Sequence, residues 1–329
     1  MHFSTEAEKE LEVLTNALSE ILSLTVSSFE TANNFEFTAK NFSEDKGEAA
    51  NTLYIQAEDA AGNLSEISEF KFNIDLAAPV LTSTALEEYY TSGEPVVAYT
   101  ATDANSVSAI NISVYKGSGS TALTQEELAE NGITVSDTEF SNENGASAAT
   151  ATVSFNADGN HDGKFTVTAE AVDAAGKSSG VKTLTTTIDA TKPEFKDDLK
   201  IGNAVWSGNS WYKDTTLKLS GSFTETTSGM DVLYYYVQYP GRSAPEALTD
   251  ITADSAHDGD LSFKSGAEDF SFTVEAFTNN TSEAANVIYI QAADKAGNAS
   301  EIKQFTINVD TTAPELSAQY YQIGSNSIT

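Results

Sequence analysis

The chain has 329 residues, of which 49 are acidic and 17 basic, for a formal charge of −32. That balance argues against a nucleic-acid surface, which needs Lys and Arg against phosphate, and favours divalent cations as small partners. There is no cysteine, so neither disulfides nor thiolates enter, and a hydrophobic content of 40% suffices for two or three ordinary cores.

Residues 1–78 come first. Met1-His-Phe-Ser-Thr-Glu-Ala-Glu8 lacks the basic start and apolar run of a signal peptide. Nowhere does an apolar run of about twenty residues predict a membrane span. Residues 5–24 predict a helix: Thr5 and Glu8 fit a capping box, and Leu11, Leu14, Leu18, Ile21 and Leu22 share a face. Phe35 and Phe37 alternate on a strand. Asn51-Thr-Leu-Tyr-Ile-Gln-Ala57 then alternates, and Asp59-Ala-Ala-Gly-Asn63 supplies turn chemistry. Phe70, Phe72 and Ile74 alternate on a return strand, and Pro79 ends the pairing. This is a closing hairpin followed by an exit linker. About fifty residues precede it, where the later copies have roughly ninety, so this copy lacks early strands.

Residues 79–189 form the first complete copy. Strands are predicted over 96–102, 109–115, 149–155 and 165–172, with a turn at Asp103-Ala-Asn-Ser106 and a short helix over 124–130. The closing segment is Asp173-Ala-Ala-Gly-Lys177, then Leu184 to Asp189, then Pro193. Residues 190–310 repeat the plan, with strands over 217–223 and 232–237 and around Phe270, Phe272 and Val274. They close on Asp294-Lys-Ala-Gly-Asn298, Phe305 to Asp310, and Pro314. In all three closing segments the first Asp precedes the second by 16 residues and the Pro by 20. Recurrence at fixed spacing is the signature of a repeat architecture. Residues 311–329 begin another copy, so the expectation is a stretch of a longer array.

Short alternating strands punctuated by turns predict an all-β chain of tandem two-sheet sandwiches. Here the chain resembles the bacterial Ig-like repeats of large surface adhesins. The likeness rests on Ala293-Asp-Lys-Ala-Gly-Asn-Ala-Ser300 and Val309-Asp-Thr-Thr-Ala-Pro314. The first copy departs from it with Leu76-Ala-Ala78 in the linker, and the middle copy with Lys177 for Asn and Lys192 before Pro. The resemblance implies immunoglobulin-like domains in an extended, extracellular array on a bacterial surface. It further implies monomeric stalks stiffened in several cases by calcium at domain junctions. Neighbouring repeats are then the immediate partners, with a host or matrix ligand beyond them. Fold alone does not fix function.

Calcium takes six to eight oxygens, many from carboxylates. The expectation places Asp59 with Asp75, Asp173 with Asp189, and Asp294 with Asp310 at one end of each domain, the next domain's near end adding another acid; Asp103 is a further candidate ligand. The competing expectation is an Asx turn at the first Asp and a solvated linker at the second. A further candidate is Asp158-Gly-Asn160-His-Asp162-Gly163, which matches the start of a calcium loop but has Ala169 at its twelfth position. Trp206, Trp211 and Tyr212 lie close in sequence. They read as core or junction packing or, if exposed together, as a sugar-stacking patch of a secreted enzyme's accessory region. No nucleophile elbow, zinc-protease or phosphate-loop motif is present, so no enzymatic role is expected.

Overall fold

The computed structural model describes residues 2–4, 51–57, 61–143, 146–244, 258–264, 266–275, 277–281 and 284–317. The helix expected over 5–24, the strand at Phe35 and Phe37, and Asp59 lie outside them. The chain divides into two compact units. One comprises Met1–Glu87, Glu94–Phe155 and Phe165–Thr186; the other comprises Glu88–Gly93, Asn156–Lys164 and Thr187–Thr329.

The last copy shows how alternation becomes a sandwich. One sheet orders β13 (Glu194–Phe195), β17 (Leu217–Thr224), β14 (Lys200–Ile201) and β15 (Ala204–Val205), with β20 (Asp269–Val274) also on β17. The other orders β16 (Trp211–Tyr212), β22 (Lys303–Val309), β21 (Asn286–Asp294), β18 (Met230–Gln238) and β19 (Gly259–Ser262). Every second residue turns inward. Leu219, Phe223, Phe270 and Val274 from the first sheet share one core with Leu233, Ile288, Ile290 and Ile307 from the second. Phe195 sits amid this core, its ring 5.3 Å from Phe223 and 5.7 Å from Phe305. Gly221 is required in β17, because a Cβ there would fall 2.8 Å from the Phe270 ring. Tyr235 stacks inward on Phe272 at 4.6 Å, while Tyr236 meets Tyr289 in a separate cluster. Alternation along Tyr234-Tyr-Tyr236 dictates that split.

The middle copy repeats the central strands of this plan and differs at its edges. Its first sheet orders β4 (Val80–Ser83), β6 (Val96–Asp103), β10 (Ala146–Ser154) and β8 (Thr134–Val135), with β9 (Glu139–Glu143) also on β10. Its second orders β5 (Tyr89–Tyr90), β12 (Lys182–Ile188), β11 (Gly163–Asp173) and β7 (Val107–Lys116). The short helix α1 (Gln125–Glu130) follows β7. Thr124 caps it, its hydroxyl accepting from Glu127 N–H while the Glu127 carboxylate accepts from Thr124 N–H. In both copies the closing hairpin lies beside the strand after the first turn. A two-residue edge strand also runs parallel to the closing strand. This is an immunoglobulin-like order without the disulfide.

The first copy is a three-stranded sheet of β1 (His2–Ser4), β2 (Asn51–Gln56) and β3 (Ser68–Phe72). Beside β2, β1 holds the place of β7 and β18. Among the described residues, no strand pairs with the outer edge of β3. The described residues include no helix long and apolar enough to cross a membrane.

Candidate metal centres

In the two complete copies the closing turn is fixed by its own Asp. Asn298 N–H donates to Asp294 Oδ1 at 2.9 Å, and Gly297 N–H to the Asp294 carbonyl at 3.2 Å. In the middle copy Lys177 N–H donates to Asp173 Oδ1 at 2.8 Å and Gly176 N–H to the Asp173 carbonyl at 3.2 Å. Gly176 and Gly297 have φ of 83° and 95°, which a side chain resists. The next turn residue locks the start of the return strand. Ser300 Oγ accepts from Ala292 N–H at 3.0 Å, Ser179 Oγ from Ala171 N–H at 3.0 Å, and Ser65 Oγ from Ala57 N–H at 2.9 Å.

Two acid triads build on these turns. In one, Asp75, Asp103 and Asp173 each offer a carboxylate oxygen, and the three oxygens lie within 4.8 Å of one another. In the other, Asp189, Glu225 and Asp294 do the same within the same limit. The triads are equivalent by position. Each takes the closing Asp of one sequence copy, the acid ending the second strand of the next, and that next copy's turn Asp. Each lies wholly within one compact unit.

This pairing departs from the expectation within one copy. Asp294 stands at the turn and Asp310 follows the seven residues of β22. An antiparallel return strand of that length, at about 3.3 Å per residue, carries the second Asp to the opposite end of the hairpin. The same geometry separates Asp173 from Asp189 along their own hairpin. Asp75 joins the next copy's acids instead, and Asp59 is outside the described residues. Asp310 is exposed, its Oδ1 accepting from Thr312 N–H at 2.8 Å.

The segment from Asp158 to Asp162 serves otherwise. Asp158 Oδ1 accepts from Asn160 N–H at 2.9 Å and lies 2.8 Å from His161 Nδ1. Asp162 accepts from Ala190 N–H at 3.0 Å and Thr191 N–H at 3.1 Å, so it clamps the linker. Neither belongs to a metal-sized acid cluster among the described residues. Asn279 does similar work after the last copy, where its Oδ1 accepts from Thr311 N–H at 2.8 Å. The tryptophans separate too. Trp206 packs edge-on against Phe305 at 5.1 Å and its Nε1–H donates to the Thr306 carbonyl at 3.0 Å. Trp211 is exposed and Tyr212 packs on the core, so no joint aromatic patch forms.

Burial sharpens the chemistry of the triads. Asp189 is 0% exposed, and Asp173 and Asp294 are each 2% exposed. Asp189 Oδ2 accepts from Ser228 N–H at 3.1 Å, while Asp189 Oδ1 has no partner; Asp173 Oδ2 is likewise without one. A buried polar atom left unpaired costs about 1–3 kcal/mol, and more when charged. Burial pushes the Asp189 carboxyl up to about 6, aided by the charges of Asp294 and Glu225 and opposed by Ser228. Burial also raises Asp294, with Asn298 pulling against it. Two carboxylates about 4 Å apart repel by roughly 4 kcal/mol at an effective dielectric near 20. Oxygens within 4.8 Å of one another suit a common cation at about 2.4 Å from each, the bond length of calcium to oxygen. The orphaned Asp173 and Asp189 oxygens fit such an ion.

Glu225 and Ser228 carried a readable signal. Thr102-Asp103-Ala-Asn-Ser106 and Thr224-Glu225-Thr-Thr-Ser228 share a Thr-acid-x-x-Ser pattern at the same place in successive copies. In both, the acid caps its loop. Asp103 Oδ1 accepts from Asn105 N–H at 2.8 Å, and Glu225 Oε2 accepts from Gly229 N–H at 2.9 Å. Glu for Asp hid the match.

No protein-family model matches the chain, and no curated protein matches it. Solved structures similar to it include a tetra-tandem repeat in the extending region of a large adhesion protein. That likeness has 17% identity and a TM-score of 0.35, over 80% of this chain and 57% of that one. The D00–D0 domain of intimin is similar at 11% identity and a TM-score of 0.30, over 69% of this chain and 99% of that one. Fibronectin(III)-like modules of Clostridium thermocellum CbhA are similar at 12% identity and a TM-score of 0.28, over 73% of this chain and 100% of theirs.

Proposed function

We propose that this chain is a structural segment of a bacterial extracellular surface protein, a spacer or stalk of Ig-like repeats. In this reading the linkers between its repeats are stiffened by calcium. The observation that carries the reading is the repeated triad, in which a closing Asp meets two acids of the following copy around a buried oxygen that lacks a partner. Asp75, Asp103 and Asp173 would hold one ion; Asp189, Glu225 and Asp294 would hold the other. The ion supplies positive charge that cancels the repulsion and takes up the orphaned oxygen. The chain's own residues do the positioning: the turn bonds hold Asp173 and Asp294, and the Asp162 clamp fixes the linker behind Asp189. A closing Asp held this way ties its linker to the loops of the next copy.

The test is calorimetry of the whole chain with calcium and with a chelator. Two ions should bind per chain, and the melting temperature should rise by several degrees in excess calcium. D173N and D189N should each remove one binding event. Absence of binding together with an unchanged melting temperature would overturn the reading. The runner-up, a carbohydrate-binding accessory region, loses Trp206 to the core and retains only Trp211 at the surface.

A further inference from the structure

The two triads share a plan but are closed differently. In the second, Asn298 Nδ2 donates to Asp294 Oδ2 at 2.9 Å and to the main-chain carbonyl of Asp189 at 2.8 Å. One amide therefore spans the gap between turn and linker. Lys177 stands at that place in the first triad, four residues after Asp173 as Asn298 is four after Asp294. Its main-chain N–H keeps the turn bond to Asp173 Oδ1. Its side chain forms no ion pair with the triad among the described residues. The consequence shows in the carboxylates. Asp294 Oδ2 has a donor, whereas its counterpart, Asp173 Oδ2, is buried without one.

A short amide whose stem is held by its own turn loses little freedom in making two bonds. A long ammonium side chain loses far more and has no fixed geometry with which to bridge a carboxylate and a carbonyl. We infer that Asn298 is a positioning residue that stitches the second linker to its turn without any ion, and that Lys177 leaves the first linker to be closed by the ion alone. This rests on the calcium reading above. The two hand-overs then respond unequally. The second is ordered before binding and takes the ion more tightly, because a pre-organised site spares the cost of ordering. The first orders only as the ion arrives.

Hydrogen exchange on the whole chain, in calcium and in chelator, tests this. In chelator the 75–79 linker should exchange about tenfold faster than in calcium, while 189–193 should change by less than about threefold. Asn298→Ala should speed exchange of the second linker in chelator about threefold or more, most at Asp189 and least at Ala190 and Thr191, which Asp162 still holds, and should weaken calcium at that site by about tenfold. Lys177→Asn should do the reverse, slowing the first linker in chelator. That gain cannot come from misfolding. If calcium binds and protects the first linker, yet N298A leaves the second as slow as before and K177N leaves the first as fast, the role given to Asn298 is overturned while the calcium reading stands. If no calcium binds, that reading falls, and exchange of the two variants in chelator still decides whether Asn298 is the stitch.

Discussion

The closing hairpin of the first copy and that of the last share a sequence pattern but not an environment. Phe305, on β22, is 8% exposed and belongs to a core supplied by the opposing sheet. Phe70, at the same place on β3, is 51% exposed. Ile288 and Ile290 are fully buried, while their counterparts Leu53 and Ile55 are only partly so. Pairing register and the Ser lock are nevertheless alike in both hairpins. Local chemistry thus builds the hairpin. What makes it a load of buried apolar surface is the second sheet, together with the edge strand that β16 supplies to β22 and that β3 lacks among the described residues.

The largest expected difference lies at the two phenylalanines. Phe305→Ala should cost about 3–5 kcal/mol in denaturant unfolding of its unit, as large buried deletions do. Phe70→Ala should cost less than about 1 kcal/mol. Equal losses would mean that the first hairpin is as deeply buried as the last. The next largest effect is on the closing Asp. Asp189 is held at about 6 when folded against an ordinary Asp value of 3.8, so the folded state favours its protonated form. Its stabilising contribution is present in full below 3.8 and is lost as pH rises through about 6. In chelator, unit two should therefore be more stable at pH 5 than at pH 7.5, by about 1.4 kcal/mol. D189N should flatten that slope, and calcium should reverse it, because protons compete with the ion for the carboxylate. A slope unchanged in D189N would remove Asp189 from the account. The smallest effects concern the edge. Trp206→Phe, which deletes the bond to Thr306, should cost about 1 kcal/mol. Trp211→Ala should shift stability by no more than about 0.5 kcal/mol. A glycan-array signal abolished by W211A alone would favour the sugar-binding alternative.

Much of this was legible in the residues. Alternation placed the strands because a half-buried strand shows its two faces in sequence: β17 and β18 lie where Leu217, Leu219, Phe223 and Leu233 put them. Asp-x-Ala-Gly marked the turns because only those residue types satisfy that backbone. The triads were half legible. Their Asp residues stood out by spacing, but which Asp meets which depends on where an antiparallel strand ends and how the linker bends, and neither has a one-dimensional signature. Asp162 shows the same limit. Its spacing resembled a cation loop, while its bonds to Ala190 and Thr191 join residues 28 and 29 positions apart. The bridge by Asn298 to Asp189 spans 109 positions.

The parallel pairing of the short edge strands has a mechanical consequence. Thr187 N–H donates to Glu88 and Asp189 N–H to Tyr90, each at 2.9 Å, and Asp310 N–H donates to Tyr212 at 2.9 Å. In each complete copy the strand near the point of entry thus runs alongside the strand at the point of exit, in the same direction. Tension drawn from entry to exit slides such a pair lengthwise, so its rungs share the force and must fail together.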